Sequence, residues 1–119
     1  MRRRLLVTNE SNQAVVAFSA ELATGVWSRF LGLMGRRSVP TGEGLLLRPC
    51  SSVHTTLMRF PIDVVFMDGE GRVLKVAANL RPYWVALGGR HVRQALELPA
   101  GTASRVEIHV GDRLRINPD

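Results

Sequence analysis

Six consecutive residues, Ile62-Asp63-Val64-Val65-Phe66-Met67, constrain this chain more than any other stretch. The run is rich in β-branched and aromatic residues, and Phe60-Pro61 and Asp68-Gly69-Glu70-Gly71 bound it on either side. So short an apolar run between turn signals reads as a strand. The turn Asp68-Gly69-Glu70-Gly71, in which Gly supplies positive φ, folds it back on a partner strand at 72–78. Alternation places Ile62, Val64 and Phe66 on one face and Asp63, Val65 and Met67 on the other. Both faces are largely apolar, so Asp63 sits at the mouth of the strand or partly buried. A buried carboxylate must be paired or hydrogen-bonded. Arg59, just upstream across the Phe60-Pro61 corner, is a candidate partner. The structural reading is that Asp63 accepts backbone N–H bonds and pins that corner; the functional reading is a general base or polar anchor in a pocket.

The rest of the chain carries the same short-strand signature. Residues 3–8 and 14–18 read as a hairpin around the turn Asn9-Glu10-Ser11-Asn12. Further strands are expected at 44–48, where Pro49 ends the run, and at 52–56, 93–98 and 113–117. One helix is expected over 24–35, with Thr24 as N-cap, Gly35 as terminator, and Val26, Trp27, Phe30, Leu31 and Met34 on one face. A short helical piece follows at 102–108. Residues 36–44 are a loop of turn formers, and 79–91 a long connection containing Tyr83, Trp84 and Gly88-Gly89. The sum is a mainly β (α+β) fold. It is a small antiparallel β-sandwich or partly closed barrel of about eight short strands, with one main helix. At 119 residues, with no repeat or linker, the whole of 1–119 is a single domain.

Composition narrows the function classes. The net charge is +6, but the sixteen basic residues are scattered, with Arg2-Arg3-Arg4 the longest run. No aromatic residues interleave with them, which argues against sequence-specific nucleic-acid reading and leaves general attraction to anions, including an acidic protein partner. The single cysteine, Cys50, cannot form an internal disulfide. No segment approaches the ~20 apolar residues of a membrane helix, and the apolar stretch Leu5-Leu6-Val7 is too short for a secretory leader. A cytoplasmic protein without membrane contact is the simplest expectation.

The residues capable of chemistry collect at 50–71. If the strand carrying His54 paired with Ile62–Met67, His54 and Asp63 would approach as an acid–base couple. The spacing from Cys50 to His54 matches no tight metal motif, and no nucleophile elbow or phosphate-binding glycine loop is present, so no metal or cofactor is implied. A lowered thiol pKa, which a nucleophilic Cys50 would need, is not legible.

Three segments in order resemble one family. They are Phe30-Leu31-Gly32-Leu33-Met34-Gly35-Arg36-Arg37; then Gly42 through Leu47 with His54-Thr55 and Met58-Arg59-Phe60-Pro61-Ile62-Asp63; then Ala95-Leu96-Glu97-Leu98-Pro99-Ala100-Gly101-Thr102 with Val110-Gly111-Asp112. Together they are similar to the prokaryotic domain of unknown function 192 family. That family commonly reads Trp-Met-Lys-Asn-Thr-x-Ile-Pro-Leu-Asp where this chain has Val53 to Asp63; Pro61 and Asp63 are kept, and the Lys-Asn-Thr is replaced. The resemblance implies a small, mostly β, sandwich-like domain with no established activity. The resulting expectation is a non-catalytic domain binding a small molecule or an acidic protein partner at a polar corner over 54–63. Its contacts would be His54, Thr55, Met58, Arg59 and Asp63. The alternative is a hydrolase-like or metal-assisted enzyme using His54 and Asp63 as catalytic candidates.

Overall fold

The computed structural model describes residues 4–23, 40–49, 52–54, 60–81 and 85–118, with 52–54, 85 and 118 described by backbone. Nine strands lie among them: β1 (Arg4–Asn9), β2 (Val15–Ala23), β3 (Glu43–Leu47), β4 (Ser52–His54), β5 (Ile62–Met67), β6 (Val73–Leu80), β7 (Val85–Leu87), β8 (Gln94–Pro99) and β9 (Leu114–Pro118). One helical turn, α1 (Thr102–Arg105), separates β8 from β9. Seven strands form one curled sheet in the order β6-β5-β8-β3-β2-β1-β9, and β4 pairs with β7 in a small second sheet. The expected partly closed barrel is therefore present as a half-barrel. Its sheet is mixed, because β2 and β3 run parallel while the other pairs are antiparallel. Parallel neighbours need a long crossover; here it is residues 24–42. The helix expected at 24–35 lies outside the described residues.

β5 is the axis of the molecule. All six of its residues are buried, since β6 and β8 flank its edges and apolar layers cover both faces. Ile62, Val64 and Phe66 join Leu45, Leu47, Ala86, Val92 and Ala95 in one core. Val65 and Met67 face the other core, with Leu5, Val7, Leu46, Leu96, Leu98 and Ala103. A strand covered on both sides reads as a continuous apolar run, which is what made it legible.

The barrel is drawn together at one end. Arg72 bridges Arg113. The Val73 amide donates to the Asp112 carbonyl at 2.8 Å, Gly111 to Val73 at 2.9 Å and Leu114 to Gly71 at 2.9 Å. These bonds join the starts of the edge strands β6 and β9. Gly71 has φ +89°, and a Cβ there would overlap the Leu114 carbonyl oxygen. Only glycine meets both demands. The same glycine ends the β5–β6 hairpin, whose turn is braced by Asp68 Oδ1 accepting the amides of Glu70 and Arg72 at 2.9 Å each.

Three local expectations change. β2 runs on through Ala23 instead of stopping at Phe18. The β1–β2 register shifts between Leu5↔Ala20 and Val7↔Ala17, so buried residues on β2 fall three apart and the alternation is broken. β7 lies inside the stretch read as a connection, because three residues are too few to show a period. Finally, β4 pairs with β7 and not with β5.

Candidate functional site

Asp63 is the best-defined polar group of the expected site. It is 1% exposed and sits on β5 with its side chain on the face shared with Val65 and Met67. Oδ1 accepts the Asn79 amide at 2.8 Å, and Oδ2 accepts the Ala103 amide at 2.9 Å. Each contact solves a local problem. Asn79 has φ 53°, a left-handed residue in a stretch where the β5–β6 register shifts. Its amide would otherwise point away from a ladder partner. Ala103 lies in the first turn of α1, whose N-cap, Gly101, has no side chain to cap it. The carboxylate of Asp63 reaches over from β5 and takes an N–H that the helix leaves unpaired. Asp63 thus fastens β6 and α1 to the central strand.

The strand carrying His54 lies elsewhere. β4 is zipped to β7 with His54 opposite Val85. β7 is set against the main sheet by Ala86, which packs with Ile62, Val64 and Phe66. Lys75 Nζ on β6 donates to the Leu87 carbonyl at 2.7 Å and ties the small sheet down. The small sheet therefore covers one face of β5, while Asp63 points to the other. The β4–β5 ladder through which His54 and Asp63 would have met does not form. Cys50, Thr55, Met58 and Arg59 lie outside the described residues.

Two buried polar groups on β8 escaped the sequence reading. Glu97, 3% exposed, stands opposite Val64 on β5 and Leu45 on β3. The alternation Ala95-Leu96-Glu97-Leu98 suggests that Glu97 faces solvent, but β8 is a central strand with both faces covered. Gln94, 2% exposed, is a bracket. Its Oε1 accepts Arg48 Nε and Nη2 at 3.0 and 2.8 Å, and its Nε2 donates to the Asp68 carbonyl at 2.8 Å. It locks the end of β3 to the β5–β6 turn.

Beside that turn is an open depression of about 730 Å³ between Asp68-Gly69-Glu70 and the loop 88–93, with Leu74 as its apolar floor and Arg90, His91 and Arg93 on its rim. The loop is held by the Arg93 amide on the Met67 carbonyl at 2.9 Å. At the far end of the seam, Asp112 Oδ2 accepts Asn9 Nδ2 at 2.8 Å and the His109 amide at 2.9 Å. Burial alone would raise the Asp112 pKa. Hydrogen bonds from Asn9, the His109 amide and Ser11, with the nearby His109 charge, outweigh burial and hold it below its ordinary value of 3.8. Among the described residues, no three His, Cys, Asp or Glu side chains gather as a metal would need, and no helix is long and apolar enough to cross a membrane.

This half-barrel matches known proteins along nearly its whole length. A Pyrococcus furiosus UPF0127 protein is 30% identical over 107 residues, covering 86% of this chain and 90% of its own. A Pyrococcus abyssi UPF0127 protein is 27% identical over 115 residues, covering 92% and 95%. Among solved structures, a protein of unknown function from Novosphingobium aromaticivorans superposes with TM-score 0.82 at 28% identity, covering 96% of this chain and 84% of its own. The family model described as "Uncharacterized ACR" matches residues 7–116. The chain belongs to the domain of unknown function 192 (DUF192) family.

Proposed function

We propose that the protein is a non-catalytic binding domain that takes a small molecule or an acidic partner at the polar corner over 54–63. The observation that carries this reading is the state of Asp63, the one carboxylate in that corner. Each of its oxygens already accepts a backbone N–H, and its side chain is buried toward α1. A general base must be within hydrogen-bond reach of the proton it takes, and this carboxylate is engaged in holding the scaffold. The polar contacts left for a ligand are then His54, Thr55 and Arg59, with Met58 as an apolar one and Asp63 as the strut behind them. The rival, an enzyme built on His54 and Asp63, requires both groups to face one cleft. The side of β5 taken by the small sheet and the side taken by Asp63 favour the binding reading over it. A cytoplasmic setting is part of the proposal, consistent with a lone cysteine that no internal disulfide can use.

Amide-resolved NMR of the full chain against a library of small carboxylates, phosphates and neutral fragments tests the proposal. Shifts are expected to cluster at 54–59, and His54→Ala or Arg59→Ala should weaken the response without unfolding the domain. Turnover of an ester or amide fragment that His54→Ala abolishes would replace the binding reading with the enzymatic one.

A further inference from the structure

The seam between β6 and β9 holds an arrangement that ordinary sheet energetics disfavours. Arg72 and Arg113 face each other in an isolated antiparallel bridge. Bridge partners project to the same side with Cβ atoms about 5 Å apart, and like charges placed so repel. Both are exposed, and so is Arg115, two residues along and on the same face of the chain. Among the described residues, the ion pairs join Arg4 to Glu21 and Glu43, and none reaches these three arginines. The acidic residues that border them are joined to Arg113 through backbone atoms. The Glu10 amide donates to the Arg113 carbonyl at 2.9 Å, and the Glu70 carbonyl accepts Arg113 Nε at 3.3 Å. That last bond orients the Arg113 guanidinium and leaves its Nη groups for another acceptor.

We infer that this face of the seam docks an extended acidic segment of a partner protein. The occupant follows from charge and spacing. Alternate residues of an extended chain repeat every ~6.7 Å, the same repeat that separates Arg113 from Arg115 along its strand. Carboxylates at alternate positions of the segment would meet Arg115 and the Arg72–Arg113 pair in turn. Each guanidinium of the pair can grip a carboxylate through two parallel N–H···O bonds, the planar recognition for which arginine is suited. The backbone bonds of the closing seam, from Leu114 to Gly71 and from Gly111 to Val73, hold the two arginines together despite their repulsion. A bound carboxylate would relieve that repulsion. None of the three arginines belongs to the 54–63 stretch, and the inference stands whether or not that corner binds anything.

The test is fluorescence anisotropy with a labelled peptide of alternating Glu and Ser, using the full chain and its Arg72→Gln, Arg113→Gln, Arg115→Gln and Arg105→Gln variants. Arg105 is exposed in the last turn of α1 and serves as the charge-matched control. Each seam variant is expected to weaken peptide binding roughly tenfold, the loss typical of one charge-assisted hydrogen bond, and added salt should weaken it further. Arg72→Gln should melt no lower than the parent chain, because it removes a repulsion. Equal losses in Arg105→Gln would show unspecific attraction and overturn the inference. So would an oligonucleotide, or inorganic phosphate, that binds through the same arginines more tightly than the peptide.

Discussion

Replacing Asp63 separates a structural carboxylate from a catalytic one, and the size of the effect follows from its two contacts. In Asp63→Ala the amides of Asn79 and Ala103 lose their acceptors while remaining where the carboxylate held them, at 2.8 and 2.9 Å. Orphaning the buried Ala103 donor costs about 1–3 kcal/mol, and losing the part-buried bond to the exposed Asn79 costs about 0.5–1.5 kcal/mol, so the pair predicts a loss of about 1.5–4.5 kcal/mol. That is a large part of the 5–15 kcal/mol typical of a whole domain. Asp63→Asn keeps the shape and one acceptor but turns an NH2 group on the second amide, so about half that loss is expected. The assay is urea unfolding followed by circular dichroism, with hydrogen exchange read at individual amides. Protection at Asn79 and Ala103 should fall first, with the order Ala below Asn below parent. A loss under about 1 kcal/mol for Asp63→Ala, with both amides still protected, would refute the strut.

The other expectations concern the scaffold. Gly71→Ala should destabilise by more than about 2 kcal/mol, since it combines a positive φ with overlap on the Leu114 carbonyl, whereas Gly69→Ala meets nothing within 4 Å and should be near neutral by urea midpoint. Leu96→Ala, at a fully buried site between the two central ladders, should lose about 2–5 kcal/mol, while Leu87→Ala, 66% exposed, should lose little. Asp112 has a folded pKa below its unfolded value, so it contributes stability above 3.8 that disappears as pH falls through the lower folded value. Asp112→Asn should therefore flatten the acid side of the stability profile, seen as urea midpoints that change less than the parent's between about pH 5 and pH 2.

How far the sequence led can be seen in particular residues. Ile62–Met67 was legible because a strand buried on both faces needs an unbroken apolar run, and the Asp68–Gly71 turn was legible because its conformation demands glycine. The fold class followed from these and from the spacing of the other short strands. The bulge opposite Leu5 and Val7 hid the second half of β2, since one inserted residue shifts every later side chain to the other face. Pairing was the larger loss. Strand adjacency is set by the whole sheet, and nothing local to Ser52–His54 says that its partner is Val85–Leu87. The hydrogen-bonding role of Asp63 was readable from a carboxylate in an apolar run, but its two partners, sixteen and forty residues away, were not. Glu97 escaped because alternation shows which residues share a face and not what covers that face.

The decisive measurement is the separation of the His54 imidazole from the Asp63 carboxylate in a crystal structure of the full chain. The binding-domain reading expects a gap well beyond the ~3.2 Å of a hydrogen bond, with Asp63 still held by the Asn79 and Ala103 amides. An imidazole nitrogen within ~2.6–3.2 Å of that carboxylate, facing an open cleft, would contradict it and restore the catalytic couple.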